Sequence, residues 1–453
     1  MEFHGTETSV VDVLRVPELQ RLRRIAQLGM CSSVFPGAEH SRFAHSIGTA
    51  HVALRMCKQL ADIAPDVLVP ELRPDEESVR DLALAALTHD IGHGPLSHVW
   101  EREVVRQFDR EKWCKALALD AQEPGIATTT WHELTTQGLL AHDGELHNVL
   151  EIQEAGTAER VRKLLLKQYP VRYLSRLLSG DVDCDRCDFL LRDALHTGVA
   201  YGRYDLNWLI STMTLGFTHA NHLVVGYDAR KAPRVLEQFF VARRALYDTV
   251  YNHKTVRIAE SMVGLLLRRL RALVQQDKWL HDAPRRLDAF RRILGGEALS
   301  PPEILQLDDH GLALLIELSA GSSDKTLRHL AHRVIKRDLF KQVSVSPERL
   351  ASFNTADAMA QLQEVVAPHI PGGKALAQYY AIIDDFPFKM LSQKVSAEAY
   401  FVDVDGDDRL ASPVRDHPQI RGLFANPQEF SSPRLFVPAE AHDALSRFFD
   451  RTG

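Results

Sequence analysis

LTHDIGHGPLSH (residues 87–98) places three histidines, an aspartate, two glycines and a proline at the end of an apolar run. The segment leading into it, DEESVRDLALAAL (75–87), has acids in its first turn, where a helix dipole favours them. It then reads as helix until Gly92, Gly94 and Pro95 break the pattern. Side chains able to bind a metal are thus gathered where a helix stops. The His89-Asp90 dipeptide proves nothing alone, since His-Asp also begins at His142, His281 and His442.

Working outward, most of the chain reads as helix. PELQRLRRIAQLG (17–29) sets Leu19, Leu22, Ile25 and Leu28 on one stripe ahead of Gly29. SRFAHSIGTAHVALRMCKQLADIA (41–64) repeats apolar groups at helical spacing behind a capping Ser41. Further helices are expected over 101–120, 132–141, 157–178 and 185–196. HLVVGYDARKA (222–232) reads as a strand and turn before a long helix over 233–274. QYYAIID (378–384) and EAYFVDVDG (398–406) read as strands, and DVDGDD (403–408) as a solvated hairpin. The expectation is a mostly α fold, with one region over 1–275 and a smaller helical and α+β C-terminal region over 276–453.

The 453 residues exceed what one small core organises. A hydrophobic fraction of 45% and a charged fraction of 25% are those of an ordinary globular protein. With a net charge of −6 and no long basic run, nucleic acid is not an expected partner. The five cysteines, Cys31, Cys57, Cys114, Cys184 and Cys187, form an odd and sparse set that fits a reducing compartment. The N-terminus is acidic within two residues and lacks the apolar core of a signal peptide, and LALAAL (82–87) is far too short to span a bilayer. A cytoplasmic protein without a membrane partner is expected.

A divalent metal needs several nitrogen or oxygen ligands, commonly from different helices of a helical scaffold. His45 lies upstream in SRFAHS, and GDVDCDRCDFLLRDALHTG (180–198) packs five acids into thirteen residues at a helix start. A single His, then an adjacent His-Asp, then a distant Asp is the ligand order of the HD superfamily of metal-dependent phosphohydrolases, which this chain resembles. QRLRRIAQLGMCSSVFPGAEHSRFAHSIG (20–48), WHE (131–133), DCDRCDFLLRDALHTG (183–198) and RRALYDTVYNHK (243–254) sharpen the likeness. They resemble the deoxynucleoside triphosphate triphosphohydrolases, especially those carrying a sterile alpha motif. The resemblance covers roughly residues 4–275, and no sterile-alpha-motif domain is expected ahead of it.

The resemblance implies an HD helical core in which His45, His89, Asp90 and Asp185 hold the metal, with Asp183 competing for the last role. Two histidines and two carboxylates suit Mn, Fe, Co, Ni or Zn better than Ca, and Mg stays among the candidates. Such an ion polarises an α-phosphate and lowers the pKa of water. The family breaks the bond between Pα and O5′ and releases intact triphosphate. His98 matches the acid that protonates the departing oxygen, and Glu101 and the pair His132-Glu133 match groups that orient and tune the site. Arg42, Arg186 and Arg243 match phosphate-contacting positions, and His93 another pocket group. Gln27 and Asp193 match residues that hold the 3′-hydroxyl, while Leu28 and Tyr251 match the wall that crowds C2′. Such a gate rejects ribose because an extra hydroxyl has neither room nor a partner.

The chain also departs from that pattern. Phe189 stands where the family has a sugar- and phosphate-facing tyrosine, and Tyr247 where a histidine lies near the sugar. Arg15 replaces the acid that reads guanine at an activating GTP site, although Gln20 and Arg23 are kept. Arginine has no acceptor for the guanine edge, so GTP activation is not carried over, and another nucleotide or anion is the candidate effector. A homo-oligomer, dimer or tetramer, is implied.

Plainer readings stand beside these. A lone helical histidine such as His45 is ordinarily packed or superficial, most arginines belong to solvated faces, and Leu19, Leu22 and Ile25 are core. Cys184-x-x-Cys187 has no second CxxC and is read as structural. The expected activity is metal-dependent hydrolysis of a dNTP to deoxynucleoside and triphosphate. The competing readings are an HD phosphohydrolase acting on another nucleotide or a single-stranded nucleic acid end, and a non-catalytic nucleotide sensor.

Overall fold

Helices dominate the computed structural model, which describes residues 4–105, 108–353, 356–384, 399–406, 408–424 and 433–451. The helix Glu76–Thr88 starts with a capping box: Asp75 accepts from the Ser78 amide and the Ser78 hydroxyl accepts from the Asp75 amide. Every residue from Leu82 to Leu87 is fully buried, so the second half of this helix is apolar all round and runs through the core. It packs along Arg42–Val67, which in turn lies against Cys184–Thr197. These three helices carry the quoted stretch, His45 and Asp185. Asp183 caps the third, accepting from the Arg186 amide at 2.7 Å.

Close packing explains the glycines after Thr88. A Cβ on Gly92 would lie 2.0 Å from the His132 carbonyl oxygen. The Gly92 amide donates to Thr136 Oγ1 at 3.0 Å. Only glycine lets the Trp131–Ala141 helix abut the loop this closely.

Several helices are shorter than the periodicity predicts. The 17–29 segment is α-helical only over Pro17–Arg21, with one tight turn to Arg24. Ile25 then turns extended: its carbonyl accepts from the Arg42 amide, and the Gln27 amide donates to the His40 carbonyl. A non-local bridge therefore wins over the local apolar stripe. The 157–178 segment splits into Thr157–Leu165 and Arg172–Ser179 around Pro170, as expected where a proline disfavours helix in the residue before it. The 101–120 expectation resolves into His98–Glu103 and Arg110–Ala116. The 233–274 helix divides into Pro233–Leu246 and Lys254–Val274, joined by a π-helical turn over Tyr247–Tyr251.

Among the described residues, seven short strands form two sheets. Strands β1 (Met213–Phe217) and β2 (Leu223–Asp228) make an antiparallel hairpin; only β2 is expected from sequence. The other strands are β3 (Lys341–Val343), β4 (Ile382–Asp384), β5 (Tyr400–Val402), β6 (Ala411–Pro413) and β7 (Arg434–Val437). The order of the first sheet is β1-β2-β5-β6, with β5 parallel to β2 and antiparallel to β6. The second sheet, β3-β7-β4, is antiparallel. Segments from beyond residue 275 thus complete a sheet begun before it. Among the described residues no helix is long and apolar enough to cross a membrane.

Candidate active site

Three helices bring His45, His89, Asp90 and Asp185 together. His45 Nδ1 donates to Asp188 Oδ2 at 2.8 Å, and His89 Nδ1 donates to the Ala86 carbonyl at 2.7 Å. With both Nδ1 atoms committed, both Nε2 atoms face carboxylates. His45 Nε2 lies 3.0 Å from Asp185 Oδ1 and 3.8 Å from Asp90 Oδ2. His89 Nε2 lies 3.2 Å from Asp90 Oδ1 and 3.7 Å from Asp185 Oδ1. His89 Nε2 is buried without a hydrogen-bond partner. Ligand atoms of His45, His89 and Asp90 all lie within 4.8 Å of one another, a group that could hold a metal ion. Two imidazoles and two carboxylates fit a divalent ion of the transition-metal or Mg type.

The electrostatics match. Burial alone pushes His45 down, but hydrogen bonds to Asp185 and Asp188 override it and raise the pKa to about 10. Burial likewise opposes the charge on Asp185, and the two histidines still hold it far below the carboxylate range. Asp188 is the one member of this arrangement that the sequence reading misses. It reaches His45 because residue 48 is glycine, whose Cβ would fall 1.8 Å from Asp188 Oδ1. Arg192 clamps Asp188 through both oxygens at 2.8 Å. The signal was present: Asp185 and Asp188 are three apart and share a helix face. Asp183, the competitor, is engaged by Arg186 and the helix cap.

A second histidine cluster adjoins the first. His93 and His132 stack with centroids 4.0 Å apart, and His93 Nε2 lies 3.3 Å from Asp90 Oδ1. His132 Nδ1 donates to Glu101 Oε1 at 2.6 Å. Burial lowers His132, but Glu101 outweighs it and the net shift is upward. Burial raises Glu101, and the surrounding histidines bring it down to about 2. Glu133 lines the same cavity, yet its carboxylate accepts from the Thr130 amide at 2.6 Å as half of a helix cap. The carboxylate on His132 is therefore Glu101. His98, whose ring lies 6.0 Å from that of His93, is lowered to about 4 by burial and by Arg42. Two residues ahead of it, Leu96 and Ser97 both have positive φ, 51° and 49°, a strained pair of L-residues held by its surroundings. Ser97 Oγ accepts from Arg42 Nε at 2.8 Å, and Arg42 also pairs with Asp90.

Both clusters open on one cavity of about 1160 Å³. Arg186, Arg243, Phe189, Tyr247 and Tyr251 line it or flank it, as do Gln27, Leu28 and Asp193. Arg243 is buried, and its Nε and one terminal nitrogen have no hydrogen-bond partner. Burial and the neighbouring Arg186 both lower its pKa. A buried guanidinium with open donors is costly unless an anion meets it. Asp193, also at the cavity lining, accepts from Tyr251 Oη at 2.6 Å and pairs with His40 Nε2 at 2.7 Å. The sequence reading misses His40, and also Lys167 and Arg102 at the cavity lining.

Comparison with known proteins agrees with this geometry. The HD domain family matches residues 42–131. The uncharacterized protein YwfO of Bacillus subtilis is 31% identical over 345 residues, covering 76% of this chain and 70% of that protein. The deoxynucleoside triphosphate triphosphohydrolase SAMHD1 of Bos taurus is 28% identical over 280 residues, 58% of this chain but 44% of its own length. A phosphohydrolase from Bacteroides thetaiotaomicron shares the fold, with a TM-score of 0.72 at 24% identity over 94% of this chain and 95% of that one. With its paired His-Asp motif seated at a helix end, this chain belongs to the HD superfamily of phosphohydrolases.

Proposed function

We propose that the enzyme hydrolyses deoxynucleoside triphosphates to deoxynucleoside and intact triphosphate, using Mn, Fe, Zn or Mg held by His45, His89, Asp90 and Asp185. The observation that carries this reading is one cavity lined by a metal-capable cluster and a hydrogen-bonded Asp193–Tyr251 pair, with a buried guanidinium with open donors, Arg243, next to the lining residue Tyr247. The first serves phosphoryl chemistry, the second a small polar group such as a sugar hydroxyl, the third a polyanion. The similarity to bovine SAMHD1, named for this activity, supports the same substrate.

When bound, the metal supplies Lewis acidity at the α-phosphorus and lowers the pKa of the attacking water. The chain's own residues do the rest. Arg186 and Arg243 hold the triphosphate, while Leu28 and Tyr251 close on C2′ of the sugar. The departing 5′-oxygen needs a proton. Burial and Arg42 lower His98 to about 4, and an incoming polyanion raises the pKa of a histidine beside it. His132, whose pKa Glu101 raises, lies in the same cluster as a reserve.

The test is product analysis with each dNTP and NTP, each metal supplied separately, and Asp90→Ala as control. Deoxynucleoside plus triphosphate, absent from the control, is expected. Turnover of monophosphates, cyclic nucleotides or single-stranded ends, with none of any dNTP, would replace this reading with another phosphoester substrate.

A further inference from the structure

Three consecutive residues from the C-terminal region hold the loops of the site. The Leu307 carbonyl accepts from Arg21 Nε at 3.0 Å. That fully buried arginine also donates to the carbonyls of Ile91 at 2.9 Å and His93 at 2.5 Å. Asp308 Oδ2 pairs with Arg24 at 2.5 Å. Asp309 does something different: its two oxygens take one backbone amide each. Oδ2 accepts from Ala26 at 2.8 Å, and Oδ1 accepts from Leu96 at 2.8 Å.

Ala26 precedes Gln27 and Leu28, the wall of the cavity read as the sugar gate. Leu96 precedes Ser97 and His98, on the strained turn that brings the acid in. The two segments meet at Gly29, whose Cβ position lies 3.7 Å from the Leu96 carbonyl. One carboxylate therefore fixes the spacing between a wall and the loop facing it. A gate that excludes a single hydroxyl depends on that spacing, because a misplacement of about 1 Å costs on the order of 10²-fold.

We propose that Asp309 is a positioning residue that sets the preference for deoxyribose over ribose, by clamping the Ala26 and Leu96 amides on one side chain. This rests on the proposed dNTP reaction. The 25–28 segment is already tied on its other edge to His40 and Arg42, so loss of Asp309 frees one edge only and leaves the metal ligands seated.

The experiment measures kcat and KM for a dNTP and the matching NTP in wild type, Asp309→Asn and Asp309→Ala, with metal content and thermal melting recorded for each. Asp309→Asn keeps one acceptor but turns an NH2 group toward the other amide. It is expected to lower the dNTP-to-NTP ratio of kcat/KM about 10-fold, and Asp309→Ala about 10²-fold. The change should lie mainly in KM, with bound metal unchanged. Should Asp309→Ala fail to fold, the asparagine variant decides. An unchanged ratio, or kcat falling equally for both sugars, overturns the clamp. A wild-type enzyme that turns over no dNTP overturns the proposed reaction, and that result is read before any variant is compared.

Discussion

Two histidine clusters share this cavity and differ in wiring rather than composition. In the first, the Nδ1 atoms of His45 and His89 are committed to Asp188 and a backbone carbonyl, so the Nε2 atoms converge on two carboxylates and one is left without a partner. In the second, Nδ1 of His132 is on Glu101 much as Nδ1 of His45 is on Asp188, and its ring stacks on His93. Two carboxylates face the Nε2 atoms of the first arrangement; the second, His93, Glu101 and His132, has one, although its ligand atoms also lie close enough together to hold an ion. The carboxylates that orient His45 and His132 both lie outside the motif that names the family, and the difference lies in what surrounds the rest of each ring.

Three substitutions break or sharpen the contrast. His89→Gln removes a nitrogen from the first cluster and should abolish stoichiometric metal along with about 10³-fold or more of turnover, measured by elemental analysis and steady-state kinetics. Turnover surviving with full metal would remove His89 from the set. Asp188→Asn leaves all four proposed ligands in place and loosens only the orientation of His45. Metal affinity should drop about 10- to 100-fold, with activity recovering at high metal concentration; failure to recover would mean that Asp188 acts otherwise. Glu101→Gln gives the smallest effect. Glu101 raises His132 above its ordinary value, so the His132 proton is kept until pH rises through that raised value. Without the carboxylate the proton leaves earlier, and the basic limb of the pH–rate profile should move toward lower pH. The acidic side should not move on account of Glu101, whose own value of about 2 lies below the working range. An unshifted basic limb would show that His132 carries no essential proton.

Local signals in the sequence carried the scaffold. Acids in the first turn and an apolar run mark Glu76–Thr88 to within a residue, and Asp183 followed by a helix pattern marks a cap as readily as a ligand. T-x-x-E at Thr130–Glu133 is likewise a capping signature, and it explains why Glu133 sits on the Thr130 amide while Glu101 takes His132. Non-local partners were the part that could not be read. The bridge that ends the helix at Arg24 comes from residues 40–42, and Arg21 reaches Leu307 and Asp309 reaches Leu96 across 286 and 213 residues of chain. Periodicity reports what a segment buries, not which distant backbone groups it serves. Pro170 was a legible break inside 157–178; the β1 strand, MTLGF, was not, because five residues make too short a pattern to stand out.

The parallel pairing of β2 with β5 joins residues 227–228 to 401–402, a separation of more than a third of the chain. During synthesis the β1–β2 hairpin emerges long before its neighbour, and its outer edge offers unpaired amides and carbonyls until β5 arrives. An open edge of that kind is a template for pairing with other chains, and pairings this distant form late. The last hundred residues therefore act on the solubility of the nascent protein as well as on its finished shape, and a product cut short before Val402 is exposed to aggregation through an edge that the complete molecule hides.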